Sequence, residues 1–508
     1  MSGIRFKIFH SAISGVGLTF LNIIITFISI PVFVGIMGME RYGIFALVST
    51  ISNANVLFNF GFNFSLVKFL AQQGKCKESN FDILVSFILV SFIVSPFLLI
   101  IVIFKDLIVT NVLNIPDNYY EDSIVLIVYI CLSSIVLLFG QLLKAVTDSL
   151  QKMYLGNYAQ GFYNLFYWGL VIAAAYIYGS FHAIGVAILT ATILWFFILL
   201  IMFFKNWGCL SFCGFSTNFS RLIKKHMNYN VNLYLANFIG LFREPLLKVL
   251  VSHYLGINYV SILDIALRIC RIIRSLFSKI IHPFYPYMAT IANVEQLRFL
   301  ISEIEQKIYL VSLPCSVIFI FCAQSFLNLW IGDKVPGVLF TVQIAVCSMC
   351  LFSISMIPIE QYLTGKNHPS KMILLSLGNS LAMTASFLLS VNYFNNYSMG
   401  IAIISGQFVS FMVAIYLQKK YLNIYFFNSS VHLIKLIGVF IPLTFIGLII
   451  KLLNSNNAIE LVLMCCFLIP VTFLYYRLAR LVSIEDFARY YPIMLPFRNF
   501  FMKILIKQ

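Results

Sequence analysis

The sequence predicts an all-α integral membrane protein with about fourteen transmembrane helices, and three observations carry that reading. Of its 508 residues, 61% are hydrophobic and 10% are charged, whereas soluble domains lie nearer one half and one quarter. Apolar stretches of about 20 residues recur from end to end, the length at which a helix crosses a hydrocarbon core. No segment between them exceeds roughly 25 residues, well below the size of a small domain. Helices rather than strands are expected, because a helix satisfies its own backbone polar groups in lipid.

In chain order the expected spans are 11–37, 43–67, 82–104, 123–146, 158–178, 181–204, 228–252, 259–281, 308–330, 338–362, 371–391, 399–418, 433–452 and 459–478. The basic start "MSGIRFKIFH" leads into an apolar run too long for a signal peptide and without a small-residue cleavage site, so it reads as an uncleaved first span. Pro31 and Pro96 mark kinks within the first and third spans. After the sixth span comes a long inside loop, 205–227, in which "FSRLIKKHMNY" is basic and mildly amphipathic. It suits either the inner leaflet or a solvated linker. The loop divides the chain into an N-lobe (1–204), a linker (205–227), a C-lobe (228–420) and two final spans with a cytoplasmic tail (421–508).

The 34 Lys and Arg orient these spans. With both termini inside, cytoplasmic segments hold 22 of them, including Lys75, Lys77, Lys224, Lys225, Lys419, Lys420 and six after residue 476. Outside segments hold four: Arg41, Lys105, Lys334 and Lys451. This is the positive-inside pattern. It accounts for most of the net charge of +16 without a nucleic-acid partner. The eleven Cys form no disulfide framework; "CSMC" at 347–350 lies inside a span without a second pair or a nearby His and reads as packing. The seven His are scattered at span ends and in one loop. There is no Walker loop, HExxH, GxGxxG or pair of catalytic carboxylates. The expectation is therefore no cofactor, no metal and no ATP-driven transport by this chain alone.

Two charged stretches interrupt the apolar pattern: "FREPLLK" at 242–248 and "DIALRICRIIRSLFSK" at 264–279. On the seventh span, helical spacing aligns Asn237, Glu244 and Lys248; on the eighth it aligns Asp264, Arg268 and Arg271, with Arg274 beside them. At ~1.5 Å rise per residue, Lys248 matches Asp264 in depth and Glu244 matches Arg268, giving two expected interhelical ion pairs. Arg243, Arg271 and Arg274 then lie near the midplane with no acid at their depth on these two helices. A charge there costs about 2.5–3.5 kcal/mol on insertion scales. Three environments answer that cost. One is a wet cavity with carbonyl partners. A second is an acid on another helix, the candidates being Asp148 and Glu360 near inner ends. The third, taken here, is an anionic substrate, which the planar guanidinium fork suits. Asn22 on the first span and Asn55 and Asn59 on the second lie on polar stripes and, with Asn237, are candidates for sugar hydroxyls; interhelix hydrogen bonding is the equal alternative. Glu244 and Asp264 are the candidate acids for coupling to H+ or Na+.

A repeat is also visible. "MGMERYGIFALV" at 37–48 and "LGINYVSILDIA" at 255–266 are offset by 218 residues, with Gly38/Gly256 and Ile44/Ile262 identical. Each sits at the outside turn between the first two spans of a six-span half, as in transporters with parallel repeats.

Residues 35–72, the turn "LGINYVSILDIALRI" at 255–269 and "AVTDSLQKMYLGNYAQ" at 145–160 resemble the Wzx-type polysaccharide-unit flippases of the MOP superfamily. The resemblance covers nearly the whole chain through its span pattern. It implies two pseudo-symmetric six-helix lobes around a central cavity, with two extra C-terminal helices. It also implies alternating access, an undecaprenyl-diphosphate-linked oligosaccharide as substrate and a place in O-antigen or capsule synthesis at the bacterial inner membrane. A polymerase and a chain-length regulator of the same pathway, and membrane lipid, are the implied partners. The sequence departs from the family at Ser261 and Asp264, where Gly or a small residue is expected. Two alternatives stand beside this reading. A multidrug or organic-ion exporter of the same superfamily would be favoured by surplus acids in the cavity. A membrane polymerase or ligase would be favoured by a large outside loop, and the longest here, 105–122, is short.

Overall fold

The computed structural model describes residues 2–58, 62–208, 223–224, 226, 240, 243–281, 293–332, 338–365, 369–424, 438–453 and 457–478. They form α1 (Ser2–Phe58), α2 (Phe62–Gln73), α3 (Lys77–Ile103), α4 (Tyr120–Ser149), α5 (Met153–Tyr178), α6 (Phe181–Asn206), α7 (243–255), α8 (Ile257–Ile281), α9 (Val294–Trp330), α10 (Val338–Ser348), α11 (Ile357–Gly365), α12 (Pro369–Phe394), α13 (Ser398–Leu422), α14 (Phe440–Leu453) and α15 (Asn457–Leu478). Short 3-10 and π turns join some of them, and no strand occurs among the described residues.

Seven described segments are long and apolar enough to cross a membrane, or eight if 338–353 and 357–363, bent by 49° at 354–356, make one span. This count covers the described residues alone, and the expected spans 228–252 and 433–452 lie partly outside them. The stretch Lys371–Leu422 is one apolar run that contains two expected spans, and Ile13–Thr50 contains the first and part of the second. α14 has only 14 residues. α8 carries Asp264, Arg268, Arg271, Arg274 and Lys279 and is not apolar by composition. It need not be, since from Val260 to Ala266 every residue of α8 is buried in protein.

The two turns aligned by the sequence repeat share one backbone device. Gly38 breaks α1 at φ 83°, ψ 167°, and Gly256 separates α7 from α8 at φ 97°. Side chains other than Gly are strongly disfavoured there. The 218-residue offset therefore reproduces local structure as well as letters.

Helices pack in two sets. α1 to α6 pack on one another, most extensively α4 with α6, α5 with α6 and α1 with α5. In the second set α8 packs on α10, α12 on α13, and α10 on both α9 and α13, while α14 and α15 lie against α9. Between the sets, α1 runs against α8. Small residues allow the close approaches, as is usual in membrane helix pairs. A Cβ at Gly140 of α4 would sit 2.2 Å from the Trp195 ring of α6, and one at Gly185 of α6 would sit 2.5 Å from the Tyr129 ring of α4. Trp195 is fully enclosed as a result.

Of the 205–227 loop, residues 205–208, 223–224 and 226 are described; Lys224 is exposed and His226 is buried. Its ring lies 3.0 Å from Ser65 Oγ on α2 and 3.0 Å from Asp82 Oδ1 on α3, edge-on to Phe69.

Candidate functional site

Charge enters the membrane interior on α7 and α8, and residue order on α8 decides how it is used. Asp264 and Arg268 are four apart and so lie one turn apart on one face; Arg268 Nε donates to Asp264 Oδ2 at 2.5 Å. Lys248 Nζ on α7 donates to Asp264 Oδ1 at 2.6 Å, and the Tyr42 hydroxyl on α1 donates to Oδ2 at 2.7 Å. One buried carboxylate thus accepts from three helices. That satisfaction is what lets an ion pair persist away from water. One turn along, Arg271 pairs with Glu244, while Arg243 lies 4.0 Å from the other oxygen of Glu244. Farther on, Arg274 Nη2 donates to both oxygens of Glu360 at 2.8 and 2.7 Å, and its Nη1 donates to Ser353 Oγ.

The Lys248–Asp264 pair forms as expected from depth. The expected Glu244–Arg268 pair does not. Arg268 is captured by Asp264 on its own helix, and Glu244 pairs with Arg271 instead. The flexible Glu and Arg side chains reach across a full turn, so matching Cα depth cannot choose between residues 268 and 271. Arg243 and Arg271, expected to lack an acid on these two helices, share Glu244 of α7, while Arg274 meets Glu360 on another helix, the alternative weighed above. Glu360 reaches Arg274 because α11, beyond the 49° bend, packs against α8. Even so, Arg243, Lys248, Arg268, Arg271 and Arg274 outnumber Glu244, Asp264 and Glu360 by two charges.

Between the two helix sets lies a cavity of about 470 Å³. Its α7–α8 wall carries Glu244, Lys248, Asp264, Arg268 and Arg271; its α5 wall carries Tyr163, Asn164, Tyr167 and Trp168; Ser49 and Thr50 of α1 lie between them. Arg271 is the cation most open to it, its side chain 46% exposed against 21% for Arg268 and 5% for Lys248. Arg243 and Arg274 do not line this cavity. Among the sugar-contact candidates, Asn22 accepts from Asn164 Nδ2 at 2.6 Å, and Asn164 in turn accepts from Gln160 at 3.1 Å. Asn59 and Asn237 lie outside the described residues, as does the side chain of Asn55. No group of three or more possible metal ligands occurs among the described residues.

Sequence reasoning missed Tyr42 and the α5 wall. For α5 a signal existed: Asn157, Gln160, Asn164 and Trp168 recur at helical spacing in a span of only moderate apolarity.

The cavity is shut at the end that bears the two glycine turns. Ser261 Oγ donates to the Met39 carbonyl at 2.6 Å. Gly43 lies so near α8 that a Cβ would fall 2.4 Å from the Ile257 carbonyl oxygen and 2.6 Å from Ser261 Oγ. Gly43 and Ser261 are repeat-mates at offset 218, so the two halves meet there at equivalent positions. The departure from the family pattern at Ser261 serves this seam, and the departure at Asp264 supplies the carboxylate below it.

Solved structures share this architecture. The chain aligns over 92% of its length with 98% of "Lipid II flippase MurJ, inward closed conformation", at TM-score 0.74 and 12% identity. An inward-facing multidrug resistance MATE family transporter of the MOP superfamily aligns with 81% of the chain and 98% of its own, at TM-score 0.63 and 14% identity. The Vibrio cholerae MATE transporter VcmN in the bent form aligns with 83% and 98%, at TM-score 0.56 and 10% identity. At such identities the shared property is the fold. No curated protein sequence matches the chain. The profile of the family described as "Polysaccharide biosynthesis protein" matches residues 9–292, more than half of the sequence and every residue lining the cavity, and the chain belongs to that family.

Proposed function

We propose that the protein is a flippase that carries an undecaprenyl-diphosphate-linked oligosaccharide unit across the bacterial inner membrane by alternating access. The observation that carries this reading is the cavity between the helix sets, walled on one side by Lys248, Arg268 and Arg271 against Glu244 and Asp264, with one cation in surplus and Arg271 open to it. A diphosphate diester is an anion and suits a wall with a cation in surplus. Arg271 would exchange Glu244 for a phosphate oxygen, with Arg268 beside it. A cavity for organic cations would need the opposite balance, so the multidrug reading is the weaker one.

Alternating access follows from the same cluster. Asp264 holds Lys248 and Arg268 for the site and Tyr42 for the seam. An anion that draws Arg268 or Lys248 away leaves a buried carboxylate short of cations, a cost that water admitted by opening of the closed end would relieve, so loading would favour that opening. The lobes would rock so that the Gly43–Ser261 seam parts as the opposite end closes. Coupling to H+ or Na+ falls to Glu244, which is partly exposed, rather than to Asp264, which already accepts three donors. The liberated units would feed a polymerase and its chain-length regulator on the outer face.

Lipid analysis of a deletion strain tests the class of function: complete, inward-facing lipid-linked units should accumulate. Arg271→Gln should reduce surface-polysaccharide output at least tenfold (about 1.4 kcal/mol) at near-normal membrane abundance. Arg271→Lys should retain part of it, since an ammonium keeps charge but loses the fork. Normal output from Arg271→Gln would remove the anion role from this residue.

A further inference from the structure

We infer that the face of α5 formed by Tyr163, Asn164, Tyr167 and Trp168 is the subsite for the sugar ring attached directly to the diphosphate. This rests on the flippase reading above and deepens it. The four residues lie within about 140° of helix arc and face the cavity opposite the cationic wall. Their chemistry is that of a carbohydrate site. Aromatic rings offer flat apolar surface to the C–H face of a pyranose, and an amide and hydroxyls beside them meet its ring hydroxyls. The polar partners are set in place. Asn164 is fixed by Asn22 and Gln160. Ser49 Oγ, at the cavity margin, is buried with no hydrogen-bond partner. An unpaired hydroxyl inside a membrane is costly unless water or a ligand meets it.

The two walls touch at one point that sets the order of groups. The Arg268 guanidinium lies 5.9 Å from the centre of the Trp168 ring. The cation suited to a phosphate oxygen and the ring suited to a sugar are therefore neighbours, as phosphate and first sugar are in a glycosyl diphosphate. The start of a polyprenyl chain could also lie on aromatic rings, but it would leave Ser49 Oγ without a hydrogen-bond partner.

The test uses the purified full-length protein in lipid nanodiscs with two probes: undecaprenyl diphosphate, and undecaprenyl diphosphate bearing one N-acetylhexosamine. The wild type should bind the sugar-bearing lipid about tenfold more tightly than the bare one. Trp168→Leu should lose most of that increment while its affinity for the bare lipid changes by less than about twofold. Tyr167→Phe, which keeps the ring packing and removes one hydroxyl, should lose part of it and decides the matter if Trp168→Leu does not fold. Equal binding of both lipids by the wild type would overturn the sugar subsite and leave the anion site standing. Equal weakening of both lipids by Trp168→Leu would do the same and assign the wall to the lipid tail. Binding of neither lipid would overturn the flippase reading and this inference with it.

Discussion

Asp264 shows how far single residues could be read. Its place on a polar stripe with Arg268 and Arg271 follows from spacing, and its pairing with Lys248 follows from depth. Its third donor, Tyr42, lies 222 residues away, and spacing within α8 carries no information about it. The arrangement makes the cluster unequal. Removing Lys248 leaves Asp264 with Tyr42 and Arg268, whereas removing Asp264 leaves Lys248 buried and unpaired. Breaking a buried pair on that side costs about 3–5 kcal/mol. Asp264→Asn should therefore lower the thermal midpoint in detergent, and the amount of folded protein in membranes, clearly more than Lys248→Met does. Exchanging the charges, Lys248→Asp with Asp264→Lys, should not restore stability, because the exchanged ammonium would face Arg268. Equal losses from Asp264→Asn and Lys248→Met, or recovery by the exchange, would mean that the three donors do not share one carboxylate.

At the scale of elements, the periodic apolar runs gave most helices, and the offset of 218 located both glycine turns. The bend at 354–356 was not legible in "FSISMIP" at 352–358, because Ser and Pro also occur inside unbroken helices: α9 runs straight through Ser312, Pro314 and Ser316. A π-helical turn at Met349–Ser353 precedes the bend, and Arg274 braces it from α8 through Ser353 and Glu360. A double-mutant cycle on Arg274→Gln and Glu360→Gln, read as folded protein, should give a coupling of about 1–3 kcal/mol; additive losses would remove the brace. The seam at Gly43 makes a separate prediction. Gly43→Val places atoms where the Ile257 carbonyl now lies, so the closed end should not seal. In a background without native cysteines, a Ser49→Cys reporter should then react faster with an impermeant thiol reagent from outside the cell, and transport should fall. Unchanged labelling with normal transport would show that the seam tolerates a side chain.

At the scale of the whole molecule, composition alone established a multi-pass membrane protein. The packing of two helix sets around a cavity was not readable from span order, since hydropathy says which segments enter lipid and nothing about which faces meet. Orientation has the reverse character: it lies in the loops. The 22-to-4 distribution of Lys and Arg puts the 38–42 and 255–258 turns outside and the 366–371 segment inside. If so, the sealed end faces outward and the cavity belongs to a state that loads from the cytoplasm, the side on which lipid-linked units are assembled. The direction of the proposed transport thus depends on the charge bias being obeyed. The check uses a chain without its native cysteines. Asn118→Cys, in the exposed turn before α4, should react with an impermeant maleimide in intact spheroplasts, and His368→Cys should react only after the membrane is permeabilised. Reversed labelling would place the sealed end inside. The cavity would then be loaded from the outer face, and the chain would have to act on a substrate moving inward.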